Sequence, residues 1–241
     1  MPPLEAVLAL ALVGVYLLDS VHFLSIGDAV LVTRRERLHQ VTFGWPFELA
    51  GRRPYLTNPF SPFWPELRIQ WTSSSLGSTK PDVATPQMLA LLRATKPISR
   101  LAALAGVFIV VIAPVVLAAG REELFLASAG LSFVLALAAC CMLGARRKTV
   151  GLSWSQVISL SLAALLCLPC AANLGRAVAR HHSWTLAASE IPALDFSVTD
   201  SRQIQCRVSA FLSQVRRLFP EDTSEYGALT SQINLLERPR R

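Results

Sequence analysis

LAALAGVFIVVIAPVVLAAG (Leu101–Gly120) is followed, after Arg121-Glu122-Glu123, by LFLASAGLSFVLALAACCMLGA (Leu124–Ala145). After Arg146-Arg147-Lys148 comes TVGLSWSQVISLSLAALLCLPCAANLG (Thr149–Gly175). Each uncharged stretch, at about 1.5 Å per helical residue, is long enough to cross a hydrocarbon core of roughly 30 Å. Together they predict a membrane-embedded helical hairpin followed by a third span. Ala6–Leu18 is also uncharged, and apolar character resumes after Asp19 through Val21, Phe23, Leu24 and Ile26, which makes residues 4–26 a first span. Met1-Pro2-Pro3-Leu4-Glu5 has no basic n-region and no small-x-small cleavage site follows, so this segment is expected to be retained. Asp19 and His22 lie three apart on one helical face, where the acid can meet the interface.

Composition agrees. The 241 residues are 52% hydrophobic and 16% charged, against about 25% charged in a soluble domain, and mean hydropathy is +0.44. The net charge of +7 gathers where spans end. Headgroup anchoring explains it without nucleic acid, for which no aromatic-basic motif is present.

Between the first two spans the period changes. Ala29–Thr33 and Leu38–Phe43 are β-branched runs around Arg34-Arg35-Glu36-Arg37, a hairpin pattern, with Phe47–Ala50 and Leu67–Trp71 as further strands. Four prolines between Arg52 and Pro65 forbid regular structure there and leave Tyr55, Phe60, Phe63 and Trp64 in need of cover. Two readings are open: a loop packed on the small sheet, or an aromatic foot in the headgroup region. Thr72–Pro86 reads as a polar linker and Gln87–Thr95 as a short interfacial helix. Beyond Arg176, Ile204, Val208, Phe211, Leu212, Val215, Leu218 and Phe219 recur at helical spacing. Pro220 ends that helix, and Asp222 with Glu225 resembles a capping box opening a second one.

The fold reading is therefore mainly α: a polytopic membrane protein with about four transmembrane helices, at 4–26, 99–120, 124–145 and 150–175. A small β-rich module occupies 27–72, a linker with an interfacial helix 73–98, and a soluble C-terminal segment with an amphipathic helical hairpin 176–241. Ala102 with Gly106, Ser128 with Ser132 and Ala136 with Ala139 offer close helix approach, and Pro114 and Pro169 predict kinks. Arg34, Arg35, Arg37, Arg93, Lys96, Arg100 and Arg146-Arg147-Lys148 fall on one side of a four-span arrangement. That places the β-module in the cytoplasm of a bacterial-type inner membrane, with both termini external.

Chemical signals are few. Five cysteines, four of them within predicted spans, are no secreted disulfide framework. Cys167-Leu168-Pro169-Cys170 puts two thiols on one helical face, the geometry of a reversible disulfide. This tetrapeptide and the span count resemble four-helix, quinone-linked disulfide-forming membrane enzymes, including the vitamin K epoxide reductase type. That resemblance implies thiol–disulfide exchange with Cys167 and Cys170 as the redox pair. Those families also carry a second cysteine pair as relay, whereas Cys206 alone lies outside the spans here and Cys140-Cys141 sits near the other end of its span. His181-His182 point about 100° apart on a helix, with no i, i+4 ligand partner, so neither metal nor cofactor is expected.

The leading functional expectation is a non-catalytic subunit, anchor or assembly factor of a membrane complex. Its partners are the bilayer and other membrane subunits or further copies of itself. Tyr55, Phe60, Phe63, Trp64, Ile204, Val208, Phe211, Leu212 and Val215 are the candidate contact residues. An oligomeric transporter component is a further alternative, made less attractive by spans nearly free of charge.

Overall fold

The computed structural model describes residues 4–25, 27–34, 37–42, 44–45, 47–64, 66–72, 81–187 and 198–237. The protein is 69% helical with a small β module. Its elements run α1 (Leu4–Asp19), β1 (Val21–Leu24), β2 (Asp28–Arg34), β3 (Arg37–Thr42), β4 (Arg53–Leu56) and β5 (Glu66–Thr72). Then come α2 (Pro81–Gly106), a π-helix (Val107–Ile112), α3 (Ala113–Ala118), α4 (Glu122–Ala145), α5 (Arg147–Val150) and α6 (Trp154–Leu166). α7 (Leu168–Ala171), α8 (Leu174–His181), β6 (Ser183–Ala187), α9 (Val198–Arg216) and α10 (Ser224–Glu237) complete the chain. Two compact units emerge: Met1–His22 with Leu56–Pro65 and Ala90–His181, and Phe23–Tyr55 with Glu66–Leu89 and His182–Arg241.

In the first unit α1 packs on the π-helix, α3 and α7, while α4 packs on α3, the π-helix and α6. Small residues line these seams as their spacing predicts. Ala102, Ser132, Ala136 and Ala139 are fully buried, and Ser132 Oγ donates to the Ala105 carbonyl at 2.9 Å. Among the described residues two helices, Pro86–Ala118 and Glu122–Ala145, are long and apolar enough to cross a membrane. Only 39% and 28% of their most apolar windows are buried in the protein.

Three departures from the sequence reading have local causes. The first helix stops at Asp19, well before residue 26: Ser20 closes its last turn, donating N–H and Oγ to the Tyr16 carbonyl, and the chain passes straight into β1. The expected interfacial helix and second span are one rod from Pro81 to Ala118; residues 73–80 of the expected linker lie outside the described residues. Pro114 cannot donate to the carbonyl four residues back. The turn before it widens to π-geometry, with the Ala113 N–H reaching the Phe108 carbonyl.

The third departure is the largest. The last apolar segment is not one helix: α6 has 13 residues and ends where Cys167 turns extended (φ −127°, ψ 84°), two residues before Pro169. At about 1.5 Å per residue α6 covers about 20 Å, short of a bilayer core. The chain then reverses. Gly144 lies by Trp154 and Cys140 by Ser161, so α6 runs antiparallel to α4. A Cβ on Gly106 would come within 2.5 Å of Ala172 Cβ, and one on Gly175 within 2.8 Å of Ser99 Cα, so α7 and α8 run back along α2.

In the second unit a four-stranded sheet has the order β3-β2-β5-β6, and β1 pairs with β4 separately. Ala29 faces Ile69 and Leu31 faces Leu67 across β2 and β5, all four buried. Val30 points the other way, into a cluster with Leu24 and Tyr55. Phe47–Ala50 is not a strand; Leu49 and Arg52 bridge a tight turn whose Ala50 and Gly51 have φ +51° and +73°. The strand is β4, with Pro54 accommodated because its ribbon has only edges. β6, within the region read as helical, pairs in parallel with β5 from Arg68↔Ser183 to Thr72↔Ala187. α9 and α10 do form a hairpin, closed by Val208, Leu212, Leu229 and Ile233. The cap of α10 is Thr223, whose Oγ1 accepts from the Tyr226 N–H at 3.3 Å, rather than Asp222. Burial holds the Arg207 guanidinium below its ordinary pKa, nearby Arg53 adds to this, and Glu48 opposes it.

Candidate functional site

The polar chemistry of the helical unit converges on Arg176. Asn173, in the turn that opens α8, and Arg176 within that helix lie three residues apart and touch each other, while Gly175 faces Ser99. Arg176 is 1% exposed. Its Nη1 donates to Thr57 Oγ1 (3.0 Å) and Asn173 Oδ1 (3.2 Å), its Nη2 to the Asn58 and Ser61 carbonyls (both 2.7 Å), and its Nε to the Trp64 carbonyl (3.5 Å). A guanidinium has five N–H groups, and each has an acceptor here. Leaving such a charge buried and unsatisfied would cost several kcal/mol.

The loop it grips, residues 57–64, is a chain of turns. Asn58 Oδ1 accepts from the Phe60 N–H at 3.0 Å, and the Asn58 and Ser61 carbonyls accept from the Ser61 and Trp64 N–H groups. The end of α1 joins the same network. The Tyr16 hydroxyl donates to the Pro59 carbonyl (2.6 Å), and the Thr57 N–H and Oγ1 donate to the Ser20 carbonyl. Asn173 Nδ2 donates to Asp19 Oδ2 (2.8 Å) and Ser20 Oγ (3.0 Å). Asp19 therefore communicates with Arg176 through one amide.

Beside this clamp lies an apolar groove of about 840 Å³. Val13, Tyr16 and Leu17 of α1 form one wall, and Pro59, Phe60, Pro62 and Phe63 close the loop side. Arg100, Leu104, Val107 and Val111 run along α2 and the π-helix, over a floor containing Gly106 and Ala172. Arg100 is the single charged residue in the lining.

The candidate contact residues are distributed unevenly. Phe60 is 88% exposed and Phe63 44%, with Trp64 stacked near Phe63 at 5.6 Å between ring centres. Tyr55 is buried with Leu24 and Val30, and Val208 and Leu212 are buried in the α9–α10 hairpin, so these three serve packing within their own unit. Phe211 and Val215 are partly exposed, and the side chain of Ile204 lies outside the described residues. Cys167 and Cys170 are joined in a disulfide with Cα atoms 5.3 Å apart, at the break between α6 and α7. Among the described residues no group of three or more His, Cys, Asp or Glu is placed to hold a metal.

Sequence reading overlooked Arg176 and Asn173 by treating them as the far flank of a span. Two strongly polar residues three apart, just past a proline break in an apolar segment, were the available signal.

Replacing Arg176 is expected to loosen this site whether or not charge is kept. Arg176→Gln and Arg176→Lys should each lower unfolding stability by about 3 kcal/mol, because neither side chain can satisfy five acceptors. Thermal unfolding in detergent, with protease sensitivity at residues 57–64, measures this; a lysine variant as stable and resistant as the parent would refute the clamp. Comparison with protein-family models, curated proteins and solved structures finds no match.

Proposed function

We propose that this chain is a multi-pass inner-membrane protein of the bacterial type that serves as a non-catalytic subunit, anchor or assembly factor of a larger membrane complex. The membrane setting is supported by the apolar residues that the helical unit turns outward: Leu10, Leu18, Val115, Leu126, Val134, Leu162 and Leu166 are all exposed. Water would penalise such a belt at roughly 25 cal/mol per Å². Arg147 stacked 4.5 Å over the exposed Trp154 ring is suited to the headgroup level.

The observation that carries the platform role is the fixed aromatic loop. Tyr16, Ser20, Thr57, Asn173 and Arg176 all donate into holding residues 57–64 or the groups that hold them, and the loop offers Phe60 and Phe63 outward. A rigid apolar projection costs little ordering entropy on docking. The full chain cross-linked in native membranes is expected to migrate as a complex larger than a monomer, and Phe60→Ala with Phe63→Ala should release the partner. A monomer with no stoichiometric partner would refute the role.

The same geometry supports a revised topology. β5 precedes the helices and β6 follows them, yet they are neighbours in one sheet. One sheet lies on one side of a bilayer, so the intervening chain crosses an even number of times. α2–α3 and α4 account for two crossings, and α6 to α8 form a re-entrant hairpin that leaves on the face it entered. Arg176 and Arg180 thereby join the other cations on the cytoplasmic side, strengthening the charge asymmetry. The C-terminal helices are cytoplasmic. In a variant retaining Cys206 alone, an impermeant maleimide is expected to label only after spheroplasts are permeabilised; labelling of intact spheroplasts would restore a fourth full span.

A second reading rests on the Cys167–Cys170 disulfide. It would accept two electrons and two protons from a substrate dithiol, which becomes a disulfide, and pass them to a membrane quinone, which becomes quinol. Thiol trapping in cells decides: an oxidised pair that becomes reduced when quinone is depleted supports it, and a pair reduced throughout removes it.

A further inference from the structure

We infer that the groove beside Arg100 binds one acyl chain of an anionic phospholipid, whose phosphate pairs with Arg100 at the rim; this rests on the membrane reading above. The lining is apolar apart from the Tyr16 hydroxyl, already donated to Pro59, and Arg100. No carboxylate lines it. The volume of about 840 Å³ falls within the ~300–1,000 Å³ of small-molecule clefts.

Length and charge select the occupant. From Arg100 to Val111 the groove follows 11 helical steps. At about 1.5 Å each this is about 16 Å, close to half of a ~30 Å hydrocarbon core. The groove thus matches one leaflet, with the cation at the headgroup end and Val111 near the midplane. A transmembrane helix from a partner would need a groove of full bilayer length. Arg93, exposed and seven residues before Arg100, continues the same helical face toward water and adds positive potential along the headgroup path. The π-helix at Val107–Ile112 supplies Val107, Val110 and Val111 to the wall, and Gly106 and Ala172 keep the floor low.

The test uses the full chain reconstituted in nanodiscs of equal phosphatidylglycerol and phosphatidylcholine, then released into native mass spectrometry. One retained phosphatidylglycerol per chain is expected, in preference to phosphatidylcholine. Arg100→Gln should reduce that preference about fivefold, the effect of one cation near a lipid surface. Val107→Trp should expel both lipids. Absence of retained lipid, equal retention of the two lipids, or an unchanged Arg100→Gln variant would overturn the inference. So would a dimer abolished by Val107→Trp, which places a second copy in the groove. Alkaline carbonate extraction separates the two levels: a chain stripped from membranes refutes the membrane reading, whereas a carbonate-resistant chain without lipid preference refutes only this site.

Discussion

One guanidinium joins three parts of the chain that are distant in sequence. The end of α1 bonds the loop at 57–64 directly through Tyr16 and Thr57, and Arg176 with the amide of Asn173 beside it ties both to the start of α8. Desolvating an arginine is costly, and what offsets that cost here is complete satisfaction by neutral acceptors, mostly backbone carbonyls. The Asn58 and Ser61 carbonyls already accept from the loop's own Ser61 and Trp64 N–H groups, and the guanidinium takes up their remaining acceptor capacity, tying both turns to α8. Lysine's compact ammonium could not span acceptors spread from Thr57 to Trp64.

The clamp also explains why the last apolar segment turns back. For α8 to bring Arg176 to the end of α1, the chain leaving α6 must reverse. Extended Cys167 and the proline at 169 supply the break, and the two close approaches at Gly106 and Gly175 supply the seam. Larger side chains at either glycine would meet a neighbour at under 3 Å. Helix reversal and loop fixation are thus one packing solution.

Period and composition made much of this visible. The β2–β3 pairing, the apolar helices with their small-residue seams and the α9–α10 hairpin all follow from patterns within a few tens of residues. What was hidden depends on contacts across more than a hundred. Arg176 meets carbonyls, which every residue possesses, so its partners leave no trace in residue identity. β6 is only five residues long and pairs with a strand read correctly in isolation. Residues 53–56 carry a proline that argues against a strand, and only the two-edged ribbon makes it acceptable. Tyr55, Val208 and Leu212 illustrate the converse, since an apolar residue's spacing does not say whether its partner lies inside or outside its own unit.

The parallel pairing of β5 with β6 orders events during synthesis. Thr72 leaves the ribosome 111 residues before Ser183. At about 5–20 residues per second this is roughly 5–20 s. Throughout that interval β5 carries an open edge of unpaired N–H and C=O groups, the kind of edge that recruits foreign strands. The helices must emerge, and their hairpin must turn back, before the chain's own strand can close it. Sheet completion therefore follows synthesis of the helices, and the β5 edge stays open until Ser183–Ala187 emerges.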